Sequence, residues 1–165
     1  MRNIVILITC IVMIAVLSIS TRSQTKAQKV EVHKLIGTYS AKTINALNKN
    51  KERSKYKSEN KNIFWADIND DGEFDAIVEI FFCERTSCHP TTNSSVVVVF
   101  LNKKGKFTFG ASKGFSLFGK INSIENGKIK VDVYDLDEGD PQCCPELKRH
   151  ETYSFKNNKL IKVKN

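Results

Sequence analysis

The sequence has no apolar run long enough to span a bilayer comfortably. Its longest run, Ile4 to Leu17, covers fourteen residues, whereas a spanning helix needs roughly 20. It has no lipid-attachment cysteine: Cys10 stands in mid-run behind Thr9, whereas a lipidated cysteine follows a small residue at the end of such a run. No unit repeats along the chain, and that excludes a multi-blade propeller by count. Ser, His and Asp occur without a nucleophile-elbow motif. The cysteine and histidine spacings, His89 and His150 included, match no common zinc pattern. No basic stretch is interleaved with aromatics in the manner of a nucleic-acid-binding motif, which argues against nucleic acid as a partner. Together these absences leave little that points to a particular reaction.

What the chain does have at its start is a secretory pattern. Met1-Arg2-Asn3 precedes the apolar run, and Ser18-Ile19-Ser20 offers small residues at the two positions a signal peptidase reads. The expectation is a signal peptide over residues 1–20, cleaved after Ser20; an uncleaved N-terminal membrane anchor is the lesser alternative. Thr21 to Lys29 is polar and reads as a disordered linker, with a single β-rich domain over residues 30–165. The protein is then exported, periplasmic or secreted. The net charge is +8, one unit less once Arg2 leaves with the signal. Charge is unevenly placed. Lys42 to Lys61 carries seven Lys or Arg against Glu52 and Glu59, while Asp67 to Glu79 carries six acids and no base. A basic flank beside an acidic loop suits an anionic cell-surface polymer, or peripheral contact with anionic lipid headgroups. A solvated Lys-rich face is the plainer alternative.

Cys83, Cys88, Cys143 and Cys144 remain after signal removal. An even number of cysteines in an exported chain reads first as disulfides. Four thiols allow three pairings, and spacing alone selects none of them. Two thiol–base combinations are candidates for nucleophilic chemistry, Cys143 or Cys144 with His150 and Cys88 beside His89, but neither sits in a recognisable motif. A vicinal Cys143-Cys144 bridge would be strained and so easier to reduce, which keeps a thiol- or disulfide-active periplasmic factor as an alternative function.

From Ile63 onward the pattern changes to period two and short apolar runs. Ile63 to Ala66 and Ala76 to Phe82 read as strands on either side of the acidic loop. Val96-Val97-Val98-Val99-Phe100 suits a central strand covered on both faces. Asn126-Gly127, between INSI and KIKVDVYDL, is the pair favoured in a type I′ hairpin turn. Asn157-Asn158 closes a final hairpin between ETYSF and LIKV. Ile44 and Leu47 with Ser40 as cap suggest a short helix over Ser40 to Asn48. The fold class expected is mainly β (α+β): one antiparallel meander sheet of about six to seven strands with a short N-terminal helix.

The acidic loop WADINDDGEFDAIVEI is the one stretch that suggests an ion. Hard cations such as calcium take six to eight oxygens. Asp67, Asn69 and Asp71 would supply alternate side chains, the Glu73 carbonyl a fourth ligand and Asp75 a fifth, with Gly72 at the bend. An EF-hand needs a bidentate acid at position twelve, where this chain has Val78. That reading fails. The competing interpretation is an Asx-rich turn whose carboxylates accept backbone N–H groups; a second acidic stretch, Asp135, Asp137, Glu138 and Asp140, reads as such a turn.

The stretch resembles the D-x-N-x-D-G-x-x-D loop of FG-GAP-type repeats, here in a single copy followed by Ala76-Ile77-Val78. With Asp140-Pro141-Gln142-Cys143-Cys144-Pro145 it resembles a family of small exported bacterial proteins and lipoproteins that pair one such loop with a later D-P-x-C-C-P segment. The resemblance runs from about Phe64 to Leu160. It implies architecture and export, and no particular reaction. Cys83 and Cys88 stand outside that family's pattern, which favours a local Cys83–Cys88 bridge and a separate Cys143–Cys144 pair. The function expected is a non-catalytic envelope or secreted module, steadied by calcium and disulfides, that binds a partner protein or an anionic surface polymer. A structural domain with no bound ion is the remaining alternative.

Overall fold

The computed structural model describes residues 24–49, 55–86, 94–141 and 145–164. The signal-like segment and Cys10, Cys88, His89, Cys143 and Cys144 lie outside the described residues. The order is helix α1 (Lys26–Leu47), then strands β1 (Tyr56–Ala66), β2 (Asp75–Glu84), β3 (Ser94–Lys103), β4 (Lys106–Phe115), β5 (Phe118–Glu125), β6 (Lys128–Asp135), β7 (Leu147–Lys156) and β8 (Lys159–Lys162).

The chain is mainly β and its strands pair antiparallel, but they do not form one meander. They form two four-stranded sheets, β1-β2-β3-β4 and β5-β6-β7-β8, each in sequence order. The expected single sheet breaks at Ser116-Leu117. This link is as short as a hairpin, yet β4 and β5 do not pair. Side chains of the first sheet take the place of that pairing. The Gly119 N–H donates to Ser95 Oγ at 2.5 Å, and the Ile121 N–H donates to Glu79 Oε1. Glu79, which sits inside the apolar run of β2, is 1% exposed, and its other oxygen accepts from Asn62 Nδ2 at 2.9 Å. A sheet edge left unpaired in an interior leaves buried N–H donors that must find acceptors. Glu79 and Ser95 meet that demand, and they set how β5 lies on the first sheet.

Alternation along the strands builds two cores. Ile77, Val97, Val99 and Leu101 face the second sheet and pack with Ile121, Ile129, Val131, Val133 and Tyr153. Ala76, Val78, Ile80, Val98 and Phe100 point the other way, onto Val32 and Ile36 of α1. The valine run of β3 is thus covered on both faces, as its unbroken apolar character implies. Layers follow in the order helix, first sheet, second sheet.

The helix is longer than expected and begins earlier. Thr25 caps it: its side chain accepts the Gln28 N–H at 3.2 Å while Gln28 Oε1 accepts the Thr25 N–H at 2.9 Å, a reciprocal capping box. Lys26–Lys29, assigned above to a linker, is therefore its first turn. Ser40 is buried inside the helix rather than capping it. Val32, Leu35, Ile36, Tyr39, Ile44 and Leu47 form one apolar stripe. At the far end the Tyr56 N–H donates to Asn48 Oδ1 at 2.8 Å, which clips the helix to β1.

Both expected hairpin turns are present. Asn126 and Gly127 have φ of 50° and 66°, and Asn157 and Asn158 have 51° and 56°, the positive pair a type I′ turn requires.

Replacing Glu79 with Ala strips an acceptor from a buried N–H and is expected to cost roughly 2–4 kcal/mol in chemical denaturation. Glu79→Gln, which keeps one oxygen, should lose less; equal losses would show that acceptor geometry is not what matters.

Candidate functional site

The acidic loop between β1 and β2 is wound on its own backbone donors. Asp67 Oδ1 accepts the Asp71 N–H at 3.2 Å and Oδ2 accepts the Gly72 N–H at 2.7 Å. Asn69 Oδ1 shares the Asp71 donor at 3.3 Å. Asp71 then accepts the Glu73 N–H at 2.9 Å with one oxygen and Asn69 Nδ2 at 2.9 Å with the other. This is the Asx-turn interpretation made concrete: short polar side chains substitute for a backbone turn.

Asp75 plays a different part, because it is fully buried at the start of β2. Its two oxygens accept the Ile68 N–H at 3.2 Å and the Asn102 N–H at 2.8 Å. Asn102 in turn donates to the Phe74 carbonyl at 3.2 Å and accepts the Gly105 N–H at 2.8 Å. One carboxylate therefore joins the acidic loop to the β3–β4 hairpin. The loop also meets the second sheet. A Cβ placed on Gly127 would lie 3.7 Å from both Asp70 Oδ1 and the Ile68 carbonyl oxygen, so the tip of the β5–β6 hairpin rests on it.

Burial pushes the Asp75 carboxyl up to about 6; the charges of Asp71 and Asp67 add to this, and the two N–H donors oppose it. Asp67, Asp71 and Asp75 are thus near enough to repel. Still, among the described residues no group of three His, Cys, Asp or Glu side chains is placed to hold a metal ion. The donor set of Asp67, Asn69, Asp71, Glu73 and Asp75 is all oxygen and suits a hard cation chemically. The Asp67, Asp71 and Asp75 carboxylates also accept backbone N–H groups.

Of the thiol–base candidates, only His150 lies among the described residues. Its Nδ1 is 2.8 Å from Asp132 Oδ1 on the outer face of the second sheet. Asp132 also receives Lys148 Nζ at 2.8 Å, and Asn122, the bulge residue of β5, stands 3.3 Å away. The Lys148 hydrogen bond is the largest influence holding the Asp132 carboxyl below its ordinary range. Ser123 and Thr152 line the same surface hollow as His150 and Asp132. Asp140 Oδ2 accepts the N–H groups of both Asp137 at 2.8 Å and Glu146 at 2.9 Å. Cys83 is fully buried and disulfide-bonded, with its partner outside the described residues.

Two features went unread in the sequence. One is a groove of about 470 Å³ between α1 and the β3–β4 edge. Leu35, Tyr39 and Phe109 wall it, Phe100 floors it, and Lys42 stands on its rim. Gly110 is bulged out of the β3–β4 register, and a Cβ there would come within 2.8 Å of Leu101 Cγ. A bulge re-aims the residues beside it, and here it leaves Phe109 54% exposed and stacked on Tyr39 at 5.9 Å. The other feature is charge. Lys26, Lys29, Lys34 and Lys42 on α1 and Lys103, Lys104 and Lys106 at the β3–β4 hairpin are all exposed. None forms an ion pair among the described residues; on the second sheet Lys130, Lys148, Arg149 and Lys162 are paired, while Lys120, Lys128, Lys156 and Lys159 are exposed and form none among the described residues. The one acid of these two elements, Glu31, accepts the Phe107 N–H at 3.2 Å.

Fold and site together define a helix-backed pair of antiparallel meanders with a lysine-rich helix and hairpin beside an acidic loop. No family model matches the chain, and no curated protein matches it.

Because the Asp75 pKa is raised on folding, its contribution to stability is full below pH about 4 and lost as pH rises through about 6, a change of roughly 1–2 kcal/mol after screening. Urea denaturation in a chelator, compared with Asp75→Asn, measures it: the wild type should lose stability relative to the variant between those pH values. A relative gain would show that the N–H donors outweigh burial.

Proposed function

We propose that the chain is an exported, non-catalytic envelope or secreted module that binds an anionic surface polymer through the face made by α1 and the β3–β4 hairpin. The observation that carries this reading is the set of seven exposed lysines on those two elements, none of them in an ion pair among the described residues. Exposed like charges repel one another; on two elements whose single acid, Glu31, is turned onto a backbone N–H, they raise the local concentration of a polyanion and speed its capture. The secretory pattern at the N-terminus and the disulfide-bonded Cys83 fit an oxidising, extracytoplasmic setting. The acidic loop is the scaffold of the site in this reading. Calcium, if taken up there, acts as a stabiliser by relieving the repulsion among Asp67, Asp71 and Asp75.

The mature protein should bind a polyglycerophosphate polymer at low salt and release it as salt approaches molar concentration, where charges are screened within about 3 Å. Charge reversal at Lys34, Lys42 and Lys104 together should weaken binding at least tenfold, while Lys159→Glu on β8 should change it little; equal effects would remove the basic face from the account. Millimolar calcium should raise the melting temperature, and Asp71→Ala should abolish the rise. No rise, or the same rise in the variant, takes the ion out of the proposal.

A further inference from the structure

The groove beside the basic face is not needed to hold a polymer by charge alone. A stacked aromatic pair left open to water costs free energy unless something covers it, and exposed apolar patches bounded by polar groups mark binding sites. We infer that this groove binds one single-chain anionic amphiphile, its alkyl chain lying on Phe100 between Leu35, Tyr39 and Phe109 and its anionic head beside Lys42. This deepens the preceding proposal and rests on its basic face.

Three observations select that occupant. The groove's volume, about 470 Å³, falls within the range of small-molecule sites, and such sites combine an apolar lining with a few placed polar groups. Its exposed apolar surface is narrow, the half-exposed Phe109 ring stacked on Tyr39 with Phe100 buried beneath, so it suits an isolated chain rather than the flat surface of a bilayer. The charge is complementary: Lys42 is exposed and makes no ion pair among the described residues, and α1 and the β3–β4 hairpin supply the further lysines described above, with Glu31 turned onto the Phe107 N–H. A neutral apolar ligand would leave that cation unused. An anion without an alkyl chain would leave the rings uncovered.

Decanoate below its micelle concentration is the probe, read by titration calorimetry and by the aromatic proton resonances of Tyr39 and Phe109 in the full-length mature protein. Saturable one-to-one binding is expected, with decanol at least tenfold weaker. Lys42→Glu should weaken decanoate about tenfold, and Ala46→Trp, at an exposed position on the groove wall, should abolish binding while leaving the melting temperature and the circular dichroism unchanged. Both variants should still bind polyglycerophosphate, apart from a modest loss in Lys42→Glu. Decanoate binding that survives Ala46→Trp, or decanol binding equally well, overturns the assignment. Absence of decanoate binding while the polymer still binds overturns the groove alone; loss of both overturns the basic face as well.

Discussion

The arrangement of the two sheets depends on a carboxylate placed where no carboxylate is comfortable. Glu79 lies within the apolar run of β2, fully buried, and its cost is offset because the unpaired edge of β5 presents the Ile121 N–H to one oxygen and Asn62 donates to the other. Neither group would be tolerable alone: a buried charge needs donors and a buried sheet edge needs acceptors. Ser95 repeats the arrangement one strand over, at Gly119. Two side chains therefore do for β5 what a ladder partner would have done. The two meanders stack as separate layers because of it, and the shared core of Ile77, Val99, Ile121, Val131 and Tyr153 fills the space between them.

A similar economy holds at the loop end. Asp75 lies at the junction of the acidic loop and the β3–β4 turn, and the β5–β6 tip rests against the same loop. Three turns from two sheets meet there. The carboxylates of Asp67 and Asp71 keep the loop wound, and Asp75 is harder to ionise because it is buried, with their charge adding to the effect. Acidic residues lie in the loops and in both sheets, and several find lysine, arginine or backbone partners. The helix and the β3–β4 hairpin are left basic.

Much of the local structure was legible in the residues themselves. Asn126-Gly127 and Asn157-Asn158 announce their turns because few other residues accept positive φ at both central positions. The valine run of β3 announces burial on both faces. The acidic loop's polar winding followed from Asx chemistry, and so did the turn held by Asp140. The helix was read too short, although Val32, Leu35, Ile36 and Tyr39 carry the 3.6-residue period and Thr25 with Gln28 forms a capping box. A signal for Glu79 also existed, since a single acid at an inward position of an apolar strand must have a buried partner. The groove had no such signal: its walls come from segments about seventy residues apart, and the bulge that turns Phe109 outward shows only in the pairing of β3 with β4.

By itself, then, the sequence determined the elements that arise from neighbours along the chain: strand periodicity, two-residue turns, helix capping and the self-bonded acidic loop, all governed by backbone sterics and short-range hydrogen bonds. Only the tertiary structure decided where the meander splits, which acids are buried against N–H donors, and which lysines are left without partners. Those outcomes depend on which distant surfaces exclude water together, a property of the packed layers that no single stretch of residues contains.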